Sequence, residues 1–146
     1  MTSALVDLRN AVRPFLENLT AGDCALVAVS GGADSLALAY ALIKEAPALA
    51  ITLVGVTVDH QLQATSSTQA QKVVDQLSKF GLKCVVKKVT VDVKEGLEAS
   101  ARKVRYEALS EVAKQENAVA VFLGHTKDDQ AETVLLGLAR GSGTRS

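Results

Sequence analysis

The chain has 146 residues, about one domain at the usual size of roughly 150, and 48% of them are hydrophobic against 22% charged. That balance supplies ample core material and excludes a disordered or low-complexity chain. Sixteen acidic and sixteen basic residues cancel, which excludes a domain that grips nucleic acid through a general positive field; any such contact is local or made outside this stretch.

Residues 4–19 carry apolar positions at helical spacing (Leu5, Leu8, Val12, Phe15, Leu16, Leu19), with Pro14 predicting a kink or a break. Thr20 to Asp23 reads as a turn. Residues 24–29, Cys-Ala-Leu-Val-Ala-Val, read as a short strand buried on both faces. The run from Ser35 to Ala46 is apolar almost all round, so it predicts a buried helix that stops before Pro47. A second β-branched strand spans 51–58. An amphipathic helix spans 66–80, with Val73, Val74 and Leu77 inward and Gly81 closing it. In the third strand, 82–93, Lys83 and Lys87 alternate with apolar residues, as on a sheet edge. A long helix at 97–117 carries Arg102, Lys103 and Arg105; a fourth strand spans 118–123, and a last helix 129–140.

Strands alternating with helices of this length predict the α/β class, a doubly wound parallel sheet in the order 3-2-1-4, within a single domain 1–146. The Gly/Ser-rich segment from Gly141 to Ser146 reads as an interior loop, so a domain cut short before a fifth strand is expected. Cys24 and Cys84 sit in apolar runs without CxxC spacing, which predicts reduced, buried thiols. In the order 3-2-1-4 a strand separates them, too far for a disulfide. Asp7 and Arg9 interrupt the first apolar stretch, and Lys44, Glu45 and Pro47 the longest one. No secretory leader or membrane span is therefore read, and a cytoplasmic protein is expected.

The strongest chemistry-bearing segment is Ser30-Gly31-Gly32-Ala33-Asp34-Ser35, between the first strand and the second helix. The glycines allow a tight turn with positive φ and a close approach of backbone to ligand. Successive N–H groups in such a turn form an anion nest, and the helix start adds its positive end. The hydroxyls of Ser30 and Ser35 can donate to the same oxygens. No Lys follows the glycines, so this is not the GxxxxGK[ST] loop. The charge of a pyrophosphate group must then be met by backbone, by remote Arg or Lys, and by a metal for which Asp34 is a candidate ligand. A plain tight turn would leave the two serines and the buried strand unexplained.

A second segment, Gly124 to Thr133, follows the fourth strand and contains His125, Asp129 and Glu132. Strands one and four flank the expected switch point of the sheet, so both segments should face one crevice at its carboxyl edge. On a helix beginning at Asp129, Glu132 and Thr133 would share its face, more than an N-capping Asp requires. Asp59 and His60 end the second strand at the same edge, where turn residues would serve as well as ligand-binding ones. Glu98, Arg102 and Arg105 stand at i, i+4 and i+7, one helix face that a solvated salt-bridge stripe would also explain. Arg140, beside Gly141-Ser142-Gly143, could present a cation to phosphate.

The segment SGGADS (30–35) resembles the signature of the N-type ATP pyrophosphatases, or PP-loop superfamily, which includes GMP, NAD and asparagine synthetases and several tRNA-modifying enzymes. Together with GHTKDDQAET (124–133), EGLEASARKVRY (95–106) and LARGSG (138–143), the chain from about Leu26 to Gly143 looks like the tRNA(Ile)-lysidine synthetase family. That resemblance implies a ligase using ATP and Mg2+, with tRNA(Ile) and free lysine as partners. ATP would activate the C2 oxygen of the wobble cytidine with loss of pyrophosphate, and the ε-amine of lysine would then displace AMP. It implies ATP-binding roles for Ser30, Gly31, Gly32, Ala33, Asp34, Ser35, Asp59, His60 and His125. Catalytic roles fall to Asp34, Asp129, Glu132 and Arg102, phosphate contacts to Arg105 and Arg140, and Mg2+ to Asp34 and Asp129.

Where the family often reads DHGLR, this chain has Asp59-His60-Gln61-Leu62-Gln63, which removes one basic contact. The rest of the catalytic domain and the tRNA-binding region expected from the family are not in the chain, so it is expected to be inactive on tRNA by itself. A homodimer is left open. Two other readings stand beside this one. A sister enzyme that thiolates tRNA would need cysteines near the crevice. A non-catalytic ATP-binding module would gain nothing from carboxylates such as Asp129 and Glu132 beside phosphates.

Overall fold

A computed structural model describes residues 3–91, 96–125 and 130–135, with the backbone alone at 3, 4, 34, 97–99, 124, 125 and 130–135. In chain order the elements are α1 (Ser3–Glu17), β1 (Cys24–Ala28), α2 (Ala33–Glu45), a 3-10 turn (Ala46–Leu49), β2 (Thr52–Asp59), α3 (Ser66–Lys79), β3 (Cys84–Lys88), α4 (Leu97–Glu116), β4 (Ala118–His125) and β5 (Gln130–Leu135).

The sheet runs β3-β2-β1-β4-β5. Its first four strands are parallel, in the expected order 3-2-1-4. Leu26 of β1 lies in register with Val54 of β2 on one side and Val121 of β4 on the other. Because strand side chains alternate, each strand feeds two cores. Ala25 and Val27 of β1, Val29 just beyond it and Phe122 of β4 pack with Val12 and Leu16 of α1, Leu38 and Leu42 of α2, and Val73 and Leu77 of α3. Leu26, Val56, Val121 and Leu123 pack on the opposite face with Leu109, Val112 and Ala113 of α4. Helices α1, α2 and α3 thus cover one face and α4 the other. The sheet changes hand between β1 and β4, and a crevice opens there beyond the strand ends. Phe122 is fully buried, and truncation to Ala at such a position typically costs about 3–5 kcal/mol.

Helix α2, which starts at the glycine loop, is pinned from behind. Glu45, 8% exposed, receives Arg9 and Arg13 of α1, the Arg13 Nε standing 2.9 Å from Oε1. The Arg9 hydrogen bond, aided by Arg13, holds the Glu45 carboxyl below the usual carboxylate range.

Four expectations need correction. Helix α1 runs through Pro14 without a break, because Pro14 and Asn10 lie on the exposed face, where a carbonyl that loses its donor can turn to water. The third strand is shorter than 82–93, ending at Lys88. Residues 130–135 form an antiparallel strand on β4 rather than the first turns of a helix, so the sheet has a fifth strand within the chain where none was expected. That strand covers an edge of β4 whose N–H and C=O groups would otherwise be unpaired. Finally, Cys24 and Cys84 are free, with β2 between them, but half-buried rather than buried, since Cys24 opens β1 and Cys84 lies on the edge strand β3. Burial raises the Cys24 thiol above its ordinary value and pushes Cys84 up to about 11, so both stay protonated and unreactive at neutral pH.

Candidate functional site

At the carboxyl end of β1, Val29 N–H still donates to Val56 O at 2.8 Å. The chain then leaves the sheet at Ser30. Gly31 takes φ +96, and a Cβ there would come within 3.2 Å of Val73 Cγ2 on α3. Gly32 has an ordinary φ of −73 and caps α2; a Cβ on it would meet nothing nearer than Ser30 Oγ at 3.6 Å. Only one of the two glycines therefore needs the left-handed region; the other is open on its outer side.

The two hydroxyls hold the turn. Ser35 Oγ donates to Gly32 O at 3.1 Å and accepts Ser30 N–H at 3.1 Å. Its single proton being used, the 3.2 Å contact between the hydroxyls has Ser30 as donor. Ser30 Oγ in turn accepts Gly32 N–H at 3.4 Å. The N–H groups of Ala33, Asp34 and Ser35, in the first turn of α2, have no intrahelical acceptor. Gly31, Gly32 and Ala33 are exposed. The loop is thus tied from within while the helix start turns unpaired donors and a positive dipole end toward the crevice.

The end of β2 is built differently. Asp59 is 3% exposed, and its Oδ1 accepts Gln61 N–H at 2.9 Å. Gln61 itself sits at φ +57. Its Nε2 donates to Val89 O at 3.0 Å, and Val89 N–H donates to Asp59 O at 2.9 Å. The Ser66 hydroxyl first, then the Gln61 N–H, holds the Asp59 carboxyl below the usual range, so it is ionised at neutral pH. By strict geometry Asp59 Oδ2 closes no hydrogen bond; Ser66 acts on the carboxylate as a nearby hydroxyl dipole.

Between these two ends lies a cleft of about 470 Å³, within the usual size of small-molecule sites. Ser30, Gly32 and Ser35 wall one side, Thr57, Asp59 and His60 the floor, Ser66 and Gln69 of α3 the other side, and Arg105 reaches in from α4. Three buried atoms in this lining have no hydrogen-bond partner among the described residues: Asp59 Oδ2, His60 Nε2 and Arg105 Nε. Buried polar atoms are rarely left unpaired, and their gathering in one cleft marks a place for a polar ligand.

Of the residues singled out in the sequence, Ser30, Gly32, Ser35, Asp59, His60 and Arg105 come together here, with Gly31 and Ala33 in the same loop. Arg102 is exposed and outside the lining; it and Arg105 lie 5.2 and 5.6 Å from the centroid of the Tyr106 ring. The backbone of Asp34 lies in the first turn of α2, and that of His125 ends β4 at the same sheet edge. Glu132 pairs with Leu123 in the β4–β5 ladder, so the helical face expected of Asp129, Glu132 and Thr133 does not form. Asp129 and Arg140 lie outside the described residues, as do the side chains of Asp34, Glu98, His125 and Glu132. Among the described residues no three His, Cys, Asp or Glu side chains gather as a metal site.

Sequence reading missed Thr57, Ser66 and Gln69 in the cleft lining and gave Gln61 and Gln63 no role beyond a lost basic contact. Polar residues at the end of a buried strand, one strand over from a glycine loop, were the available signal.

An open sheet with a glycine-turned loop feeding a helix start at its carboxyl edge, beside a polar cleft, defines a nucleotide-binding α/β domain. The chain belongs to the PP-loop family of ATP-binding domains: the family's model, the PP-loop domain, matches residues 5–146. It is 59% identical over 122 residues to a tRNA(Ile)-lysidine synthase of Streptomyces coelicolor, covering 83% of this chain and 35% of that protein. It is 54% identical over 140 residues to one from Thermobifida fusca, covering 95% and 43%. The chain thus spans less than half the length of the curated relatives it matches. Among solved structures, the U34-tRNA thiolase NcsA from Methanococcus maripaludis with its [4Fe-4S] cluster superposes with a TM-score of 0.73 at 20% identity, over 86% of this chain and 46% of that one. At that identity the likeness is one of fold.

Proposed function

We propose that the chain is the nucleotide-binding part of a ligase that forms lysidine on tRNA(Ile), using ATP to adenylate the wobble cytidine at its C2 oxygen before lysine displaces AMP. The observation that carries the reading is the cleft itself, where a self-braced glycine loop and helix start face three unpaired buried polar atoms. The similarity to tRNA(Ile)-lysidine synthases supports the choice of substrate.

In this reading the phosphates of ATP lie against the N–H groups at the start of α2, with Arg105 meeting charge from the opposite wall. Arg102 and Arg140 meet the remaining charge of the departing pyrophosphate. Asp34 and Asp129 would hold Mg2+, which would supply charge neutralisation on the phosphates. Asp59, buried and ionised, accepts hydrogen bonds from sugar hydroxyls, and His60 and His125 complete the nucleotide contacts. The incoming lysine amine has an ordinary pKa of about 10.4 and must lose a proton, for which Asp129 or Glu132 is the acceptor. With a net charge of zero the chain offers tRNA no general positive field, so the chain alone should not modify it.

The thiolase reading has less support. Cys24 opens β1 at the edge opposite the cleft, Cys84 stands on β3 level with Gly55 and Val27, and neither lines the cleft. The six residues from Cys24 to Ser30 cover about 20 Å of extended chain.

The test is ATP–pyrophosphate exchange and lysine-dependent AMP release by the full-length protein with unmodified tRNA(Ile). Asp34→Asn and Asp129→Asn should each lower both rates by about 10²–10³ with an unchanged unfolding midpoint. Near-parental rates in both variants would show that these carboxylates are helix and loop caps rather than site residues.

A further inference from the structure

Among the described residues, Arg105 is the one arginine or lysine in the cleft lining, yet nothing polar among them holds it. Its Nε is buried without a hydrogen-bond partner, and no ion pair of the described residues includes it or Arg102. What touches both is a ring. The guanidinium of Arg102 lies 5.2 Å from the Tyr106 centroid and that of Arg105 5.6 Å. Tyr106 is itself half-buried and packs against the core under α4, beside Leu109 and Val112. An aromatic face anchored in a core is a rigid platform with a negative surface. It draws a guanidinium toward it and lessens the repulsion between two that share it.

We propose that Tyr106 is a positioning residue, which holds the Arg105 guanidinium in the cleft ready for a phosphate group before any ligand arrives. The proposal rests on the ATP reading above, because it takes phosphate as what Arg105 meets. An unanchored arginine loses rotamer freedom each time it binds, and a pre-set one loses less, so the ring contributes to affinity without touching ligand. Its contribution is confined to ligands that carry the phosphate.

The experiment is equilibrium binding of Mg-ATP and, separately, of adenosine to the full-length protein. Tyr106→Leu should weaken ATP roughly three- to tenfold, the range of one cation–π contact, and leave adenosine unchanged. Tyr106→Phe, which keeps the ring face, should match the parent for both. In an Arg105→Gln background, itself weaker for ATP, Tyr106→Leu should add nothing. Tyr106→Met, longer and more adaptable than leucine and likewise without a π face, runs the same comparison if the leucine variant does not fold. Equal weakening of ATP and adenosine, full additivity with Arg105→Gln, or parental ATP affinity in Tyr106→Leu would each overturn the positioning role while leaving the ATP reading intact. A parent protein that binds no ATP would overturn both.

Discussion

Two adjacent strands end at the same edge of the sheet and turn into the same cleft by opposite means. After β1, the turn relies on a backbone that only glycine adopts easily, and its two serine side chains satisfy each other. The donors left over are main-chain N–H groups at the start of α2. After β2, a glutamine takes the left-handed conformation that favours glycine, and side chains hold it there: Asp59 from before and Gln61 across to Val89. The first turn leaves its backbone free and commits its side chains. The second commits side chains to a strained backbone and still leaves Asp59 Oδ2 unpaired. A loop meant to approach phosphate cannot carry bulk at its tip, whereas a loop that walls the cleft can.

The contrast can be broken most severely at Gly31. Gly31→Val meets both a positive φ and Val73 Cγ2 at 3.2 Å, and should lower stability by about 2–4 kcal/mol in thermal or urea unfolding. Gly32→Val should behave differently. Its φ is ordinary and the nearest atom 3.6 Å away, so the fold should survive while ATP binding is lost, because the added side chain stands where ligand meets backbone. Equal destabilisation by the two changes would mean the loop is a plain turn.

A middle-sized effect is expected at Asp59. The folded carboxyl is held below the ordinary value of about 4 by Ser66 and Gln61, so its ionised form favours the folded state. That contribution is complete above the ordinary value and fades as pH falls through the lower folded one. Asp59→Asn should therefore melt lower than the parent at pH 7, with the difference shrinking below about pH 4. A difference that grows in acid would reverse the assigned cause. The smallest effect belongs to Gln61. Gln61→Ala keeps the strain and removes the bond to Val89, costing about 1 kcal/mol. Gln61→Gly also loses the bond but relieves about the same amount of strain, and should unfold within about 0.5 kcal/mol of the parent. Were alanine and glycine equally destabilising, the left-handed conformation at 61 would carry no strain.

Periodicity and punctuation were enough to read most of this fold. The apolar runs at 24–29, 51–58 and 118–123 became β1, β2 and β4 with ends moved by two residues or less, because runs buried on both faces belong in the middle of a sheet covered by helices. The lysines at 83 and 87 located the sheet edge, since a central strand could not solvate them. SGGADS named its own turn, and Asp59 and His60 were legible as the end of a strand at the same edge. Composition made the core small-chained, and charge balance set aside general nucleic-acid binding.

Other features were decided by neighbours distant in sequence. Residues 130–135, Gln-Ala-Glu-Thr-Val-Leu, hold helix formers beside a β-branched pair; the open edge of β4 selected the strand. Pro14 was a break in one dimension and is harmless in three, because the chain has its exposed side there. Which of Gly31 and Gly32 tolerates a side chain depends in part on Val73, far along the chain on α3, and the half-burial of the cysteines on one opening its strand and the other lying on an edge strand. That Arg105 enters the cleft while Arg102, one turn earlier, stays outside was set by the orientation of α4 against the sheet. Local pattern fixes which face of an element is apolar; only packing fixes what that face, and the residues at its rim, come to touch.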